Sequence, residues 1–236
     1  MRCRKIGDIY DAGTTEAYYK TFGHEVDCNT EMDRFFLELI PSTLKGKTVF
    51  DLGAGNGRYS ELLHHRGADR VIAYDLSDSM INQMNERKVR NQLERLDVVK
   101  GDIENIPFAE KEIDYIFSRF SVMYTCDLHS LIGKLGEIMT DSGEMLLIAN
   151  FATIVDFEGV IKNNPVPLNL KIGENCVAIK NYPNTLNDYH SAISNAGFFI
   201  ETTRQFPADE LSVDSEYPYS SVLDFNYVVF HLKKEL

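Results

Sequence analysis

A short apolar run that ends in three alternating glycines constrains this chain more than any other stretch. Residues 49–60 read VFDLGAGNGRYS, with glycine at positions 53, 55 and 57. The pattern predicts a buried strand, then a turn without Cβ atoms, then a helix whose first amide groups face a ligand. We therefore expect an α/β protein organised around a small molecule held at this junction.

Alternating strands and helices continue the pattern as far as Asn150. The predicted strands are Thr48–Leu52, Arg70–Tyr74, Leu96–Lys100, Ile113–Phe117 and Glu144–Asn150. The predicted helices between them are Arg58–Arg66, a helix capped by Ser77 or Asp78, and Asp127–Met139, with a turn at Asp141–Gly143. Strands separated by helices predict a parallel sheet covered by helices on both faces.

The segments before and after this region do not show the same alternation of strands and helices. Residues 1–43 predict an arm or lid, with a short helix near Thr14–Thr21 and an amphipathic helix at Glu31–Ile40. Residues 152–183 lack a clean period, and we expect an irregular insert that forms part of a substrate-side cap.

Two closing strands complete the predicted sheet. Thr185 and Asp188 predict a capping box for a helix that Gly197 ends. The strands Phe198–Gln205 and Ser221–Leu232 have no helix between them, so they should pair antiparallel. We expect residues 1–236 to form a single domain.

Charge and cysteine usage narrow the class of partner. The chain has 24 Lys and Arg against 36 Asp and Glu, a net charge of -12, which disfavours nucleic acid and anionic lipid. No apolar run is long enough for a membrane span, and the N-terminus lacks a secretory signal. The four cysteines form no C-x-x-C pair and no metal-ligand spacing. We expect a cytoplasmic monomer or homodimer without a metal, acting on a small molecule.

Residues that follow the strands are the candidate ligand contacts. Ligands of doubly wound sheets bind beyond the carboxyl ends of the strands. That rule selects the loop 53–57, Asp75 with Leu76, Asp102 with Ile103, and Ser118 with Arg119. An acid at the end of the second strand is placed to accept hydrogen bonds from both hydroxyls of a ribose.

Glycine spacing helps to separate two nucleoside cofactors. A dinucleotide loop has the spacing G-x-G-x-x-G. Here the third glycine comes one residue early, at Gly57, and Arg58 stands in its place. Asp51 in the approach to the loop suits an ammonium group better than a phosphate. These features favour S-adenosylmethionine but leave a nicotinamide cofactor open.

Five motifs together resemble a known family. They are residues 49–59, 71–80, 101–108, 113–118 and 143–148. The chain resembles a class I S-adenosylmethionine-dependent methyltransferase of the small-molecule kind, similar to methyltransferase types 11 and 25. The resemblance implies a Rossmann-like three-layer sandwich with a seven-stranded, mostly parallel sheet and an antiparallel last strand. It implies transfer of a methyl group from S-adenosylmethionine to O, N or C of a metabolite by in-line displacement.

The resemblance also implies roles for individual residues. Asp75 would hold the ribose hydroxyls, Leu76 and Met80 would flank adenine, and Asp102 would accept from its amino group beside Gly101 and Ile103. Ser118 and Arg119 would offer backbone near the methionyl end. The glycine-loop residues implied to contact the cofactor, mainly around its methionine part, are Asp51, Leu52, Gly53, Ala54, Gly55, Asn56 and Gly57.

The sequence indicates the residues that bind the methyl acceptor less clearly than those that bind the cofactor. The stretch 181–184, NYPN, lacks the polar pair with histidine that relatives often have, and 118–121, SRFS, lacks an Asn/Asp-Pro-Pro-aromatic motif. Weak catalytic candidates are Tyr18, Tyr124 and His190, and substrate-binding candidates are Tyr19, Arg119, Tyr124 and Tyr182. Three alternatives remain open, namely an NAD(P)-dependent oxidoreductase, a cofactor-binding protein without turnover, and a methyltransferase acting on tRNA or protein.

Overall fold

A seven-stranded sheet organises the chain. A computed structural model describes residues 30–108, 111–153, 166–172, 175–207 and 224–235. The strands in chain order are β1 (Thr48–Leu52), β2 (Arg70–Asp75), β3 (Leu96–Lys100), β4 (Ile113–Arg119), β5 (Met139–Thr153), β6 (Val166–Ile172), β7 (Asn175–Asn181), β8 (Phe198–Phe206) and β9 (Asp224–Lys234). The large sheet has the order β3-β2-β1-β4-β5-β9-β8, and β6 pairs with β7 separately.

Strand direction follows the sequence prediction. β1 is parallel to β2 and β4, and β3 and β5 extend the parallel set. β9 runs antiparallel to both β5 and β8, so the last strand is reversed. This arrangement confirms the predicted Rossmann-like sheet. The carboxyl ends of β1, β2, β3 and β4 therefore meet at one edge.

Helices cover both faces of the sheet. They are α1 (Glu31–Leu39), α2 (Arg58–His65), α3 (Asp78–Arg90), α4 (Leu128–Ile138) and α5 (Leu186–Asn195). Phe36, Leu63 and Met84 of the first three helices share one buried cluster, whereas Ile132 and Tyr189 of the last two belong to the other. The two clusters confirm the predicted three layers. None of the described helices is long and apolar enough to cross a membrane.

Helix caps agree with the local signals. Ser77 caps α3, where its side chain accepts from Met80 N. Thr185 and Asp188 form the predicted reciprocal capping box of α5. Asp127 is the cap of α4, and that helix ends at Ile138, one residue before the predicted end. Polar side chains satisfy the first amide groups of these helices.

Two expectations differ from the structure. Within the insert, expected to be irregular, β6 and β7 form an antiparallel hairpin; only Gly173 and Glu174 separate them in sequence. That short glycine-containing connection is a hairpin signal. The predicted turn Asp141–Gly143 lies inside β5 as a bulge, because Ile113 pairs with Met139 whereas Tyr115 already pairs with Glu144. The expected arm at 1–29 lies outside the described residues.

Steric room at glycine separates two substitutions. A Cβ atom at Gly101 would lie 2.0 Å from Oη of Tyr74, whereas Gly133 in α4 has open space around it. We expect Gly101→Ala to lower the free energy of unfolding by about 1–3 kcal/mol through overpacking. Gly133→Ala should raise it by about 0.5–1 kcal/mol, because alanine favours a helix interior. Urea unfolding measures both, and a Gly101→Ala protein as stable as wild type would contradict the described contact.

Candidate functional site

Backbone hydrogen bonds tie the glycine loop to the end of β2. The amides of Gly53 and Ala54 both donate to the carbonyl of Tyr74, at 2.8 and 3.0 Å. The Gly55 amide donates to Oδ2 of Asp75 at 2.9 Å. The loop therefore takes its shape from the neighbouring strand, and the amides of Gly53, Ala54 and Gly55 already have acceptors within the protein.

Glycine is favoured at each of the three loop positions for a different physical reason. A Cβ atom at Gly53 would lie 2.3 Å from Cβ of Ser121. Gly57 has φ +78°, caps α2 and would place a Cβ atom 2.9 Å from Cγ of Met84. Gly55 has φ +57°, and no atom of the described part of the chain lies within 4 Å of the position that its Cβ atom would take. Gly53 and Gly57 therefore serve packing and helix entry, and Gly55 faces the open space that a ligand needs.

Asp75 is the acid with the most defined orientation. Its Oδ1 accepts from Ser77 N at 2.9 Å while Oδ2 accepts from Gly55 N. Burial raises the pKa of Asp75 to about 6, although three backbone amides oppose the rise. The carboxylate is fixed between the loop and α3 before any ligand arrives, as hydrogen bonding to ribose hydroxyls requires.

Asp51 is buried directly beneath the loop. It is 2% exposed, and Oγ of Ser60 donates to its Oδ2 at 2.5 Å. Burial raises the pKa of Asp51 to about 7; the Ser60 hydrogen bond opposes this and the charge of Asp75 reinforces it. A cation placed beside these two acids would favour their ionised forms.

The expected adenine contacts lie at the next strand end. Oδ1 of Asp102 accepts from Glu104 N at 3.1 Å, whereas its Oδ2 has no donor in the described part of the chain. Leu76 and Ile103 are half-buried, and Met80 is buried in the first turn of α3. An apolar wall with one carboxylate oxygen left over suits a flat, amine-bearing ring.

A serine pair supports the end of β1 from the other side. Both Ser118 and Ser121 donate through Oγ to the carbonyl of Leu52, at 3.2 and 2.8 Å, and the two Oγ atoms are 2.5 Å apart. The Ser118 side chain is therefore committed to the fold. No local pattern predicts the role of Ser121, because the carbonyl that accepts its hydrogen bond lies 69 residues earlier.

Arg119 has a carboxylate partner within the protein. Its Nη2 lies 2.7 Å from Oδ1 of Asp33, and the two side chains are 12% and 1% exposed. The guanidinium also lies over the rings of Phe120 and Tyr59, 4.6 and 5.5 Å from their centroids. The structure thus commits the Arg119 charge to α1, which weakens the expectation that it binds an anionic substrate.

The remaining acceptor-side candidates separate into two groups. Tyr182 N donates to Met123 O at 3.3 Å, which brings it beside the 3₁₀ turn that contains Tyr124. His190 of α5 is exposed, and its ring centroid lies 5.7 Å from that of Phe230 on β9. Because β9 is the third strand from β1 in the sheet, His190 lies away from the glycine loop. Tyr18 and Tyr19 lie outside the described residues.

A second set of contacts joins the glycine loop to α2 and α3, and the sequence does not predict it. Nε of Arg87 on α3 donates to the Asn56 carbonyl at 3.1 Å, and its Nη1 binds Glu61 of α2. Although burial opposes it, the hydrogen bond and charge of Arg87 hold the pKa of Glu61 below its usual range. Glu61 and Asn56 lie 26 and 31 positions before Arg87, so no local sequence pattern predicts these contacts.

Comparison with known proteins finds sequence similarity to methyltransferases. Residues 49–143 match the family described as "Methyltransferase domain". The chain is 29% identical to a malonyl-[acyl-carrier protein] O-methyltransferase of Pectobacterium atrosepticum, over 60% of this chain and 54% of that protein. It is 35% identical to a demethylmenaquinone methyltransferase of Thermobifida fusca, over 45% of this chain and 44% of that protein. The chain thus spans about half the length of these curated relatives.

A solved structure shares the fold across most of the chain. Geranyl diphosphate C-methyltransferase of Streptomyces coelicolor A3(2), crystallised with Mg²⁺, geranyl diphosphate and S-adenosyl-L-homocysteine, aligns with a TM-score of 0.63 at 15% identity. The alignment covers 85% of this chain and 77% of that one. At that identity the likeness concerns the fold alone.

The buried ion pair predicts a large stability effect. Asp33→Asn removes the counter-charge of Arg119 and should lower the free energy of unfolding by about 3–5 kcal/mol. Glu31→Gln on the same helix breaks only the exposed pair with Arg204 and should change it by less than about 1 kcal/mol. Chemical denaturation measures both variants, and equal effects would contradict the contribution assigned to burial.

Asp51 predicts a dependence of stability on pH. Its pKa is higher in the folded state, about 7 against an ordinary 3.8, so its contribution is complete below about pH 4 and is lost as the pH rises through 7. Asp51→Asn cannot ionise and escapes this loss. We expect its free energy of unfolding, relative to wild type, to rise by about 2–3 kcal/mol between pH 5 and pH 8. A difference that stays constant across that range would contradict the raised pKa.

Proposed function

Residues 49–143 form a class I S-adenosylmethionine-dependent methyltransferase domain, and from this premise we propose that the protein methylates a small-molecule acceptor. The family was predicted from the sequence and is confirmed, with S-adenosylmethionine as the cofactor of the domain. The activity of the whole protein is our proposal, since the chain covers only about half of its curated relatives.

One observation supports this cofactor over a dinucleotide. A pyrophosphate needs unoccupied backbone amides at the start of the helix. Here the amides that donate to acceptors within the protein include those of Gly53, Ala54, Gly55, Gly57 and Arg58. The two acids Asp51 and Asp75 stand beside the loop, at the ends of β1 and β2. A ligand with a sulfonium and an ammonium group suits this negative, donor-poor site better than a pyrophosphate.

The chain's own residues would bind the cofactor in three places. Asp75 would accept from the ribose hydroxyls, because its carboxylate is already oriented by Gly55 and Ser77. Asp51 would face the methionyl ammonium from beneath the loop. Oδ2 of Asp102 would accept from the adenine amino group.

The chemistry itself asks for little from side chains. In methyl transfer the acceptor atom attacks the methyl carbon in line as the carbon–sulfur bond breaks, and the electron pair stays on sulfur. Positioning and exclusion of water supply most of the rate enhancement in such a step. A general base is needed only for an acceptor with a high pKa. We therefore propose no catalytic residue and keep Tyr124 and Tyr182 as acceptor-side candidates.

The kind of acceptor follows from charge and from the relatives. A net charge of -12 disfavours tRNA. The matched relatives are named for malonyl-[acyl-carrier protein] and demethylmenaquinone, which supports a metabolite or a small carried group. We further propose a single domain that works in the cytoplasm as a monomer or homodimer.

Calorimetry with three ligands tests the cofactor. S-adenosylmethionine and S-adenosylhomocysteine should bind, and NAD should not. Asp75→Ala should weaken S-adenosylhomocysteine binding about 5- to 150-fold, or about 1–3 kcal/mol, through loss of hydrogen bonds to the ribose. Asp78→Ala, an exposed acid that pairs with Lys100, is the matched control and should leave the affinity unchanged. If NAD bound and S-adenosylhomocysteine did not, the proposal would be overturned.

A further inference from the structure

One row of side chains crosses the ligand edge of the sheet beyond β4. Asn150 of β5 pairs directly with Tyr227 of β9, which pairs in turn with Phe206 of β8. Paired residues of adjacent strands point to the same face, so these three side chains lie side by side. The ring of Phe120 lies 5.6 Å from the ring of Tyr227, which extends the row toward β4.

Asn150 is the one polar amide in this row of aromatic rings. It is 4% exposed, and its buried Oδ1 has no hydrogen-bond donor among the residues that the structure describes. Most buried polar atoms in folded proteins have a partner, and an unpaired acceptor weakens the fold. An amide at such a position indicates that a bound ligand supplies the hydrogen-bond donor.

The place of Asn150 suits a methyl acceptor. β4 stands between β1, which carries the glycine loop, and β5. Asp51 is in register with Phe117 and Leu146, so Asn150 lies two strand spacings across the sheet and four residues further along β5, about 16 Å away. That distance puts Asn150 outside the nucleoside contacts at β2 and β3 but on the side of the sheet edge where the methionyl end is expected.

Charge beside the row argues against an anionic ligand. Arg119 pairs with Ile148 in the strand register, one row below Asn150, and Asp33 neutralises its charge. Arg204, one row below Phe206, is paired with Glu31. Both nearby guanidinium groups thus have carboxylates within the protein, and the walls of the row are aromatic.

We propose that Oδ1 of Asn150 accepts a hydrogen bond from the methyl acceptor, an uncharged molecule with an apolar or aromatic body and a hydroxyl or amine N–H group. This inference rests on the proposed function and deepens it, because it assigns a substrate-binding residue and a substrate class.

Thermal unfolding of the ligand-free protein gives the first test. Asn150→Leu replaces the unpaired amide by an apolar side chain of similar size, so the Tm should rise by about 2–6 °C. The same substitution at Asn195, exposed at the end of α5, should not raise the Tm. A fall in the Tm of Asn150→Leu would show that the amide already has partners, and would overturn the proposal.

Fragment binding gives the second test, with phenol and anisole as probes. Phenol has the hydroxyl hydrogen that would donate to Asn150, and anisole has a methyl group in its place. With S-adenosylhomocysteine bound, phenol should bind wild type about tenfold more tightly than anisole by NMR titration. Asn150→Leu should reduce that ratio to within about twofold while S-adenosylhomocysteine affinity stays within about twofold of wild type; Asn195→Leu should preserve the ratio. These limits correspond to the loss of one buried hydrogen bond.

The outcomes separate this inference from the proposed function. Equal binding of phenol and anisole to wild type, or a preference that survives in Asn150→Leu, overturns the role of Asn150. Failure of S-adenosylhomocysteine to bind wild type overturns the proposed function instead. The phenol preference is then measured in the ligand-free protein, where its dependence on Asn150 supports the site and its absence overturns it.

Discussion

The carboxylate of Asp75 is the contact on which the rest of the site depends. It accepts from the Gly55 amide on one side and from the Ser77 amide on the other. One side chain at the end of β2 thereby fixes both the glycine loop and the start of α3. Because these hydrogen bonds exist without a ligand, the site is preorganised, and binding need not also order the loop.

Buried charges are distributed asymmetrically around this contact. The bases Arg119 and Arg87 each have a carboxylate partner, on α1 and α2 respectively. The acids Asp51 and Asp75 instead receive hydrogen bonds from a hydroxyl and from backbone amides, and their pKa values are raised. Burying acids without a cation costs stability. A cationic cofactor would recover that cost, which links the raised pKa values of these two acids to the proposed function of the site.

Local patterns predicted the fold well because they depend on periodicity and caps. The bounds of β1 and β3, and the Thr185 capping box, follow from a few consecutive residues. The hairpin in the insert was missed because asparagine and proline residues before it obscured a short glycine connection. The location of Asp75 and Asp102 at strand ends could be predicted from the sequence, and their role as cofactor contacts stays a prediction. The Asp33–Arg119 pair and the unpaired Asn150 could not, since they depend on which faces meet in three dimensions.

A crystal structure with S-adenosylhomocysteine bound would show whether acids at the strand ends, rather than the backbone amides of the glycine loop, bind the nucleoside. We expect both ribose hydroxyls within hydrogen-bond distance of the Asp75 carboxylate, while the Gly53 and Ala54 amides keep their hydrogen bonds to the Tyr74 carbonyl. A ligand that displaced those amide bonds and lay away from Asp75 would contradict this expectation.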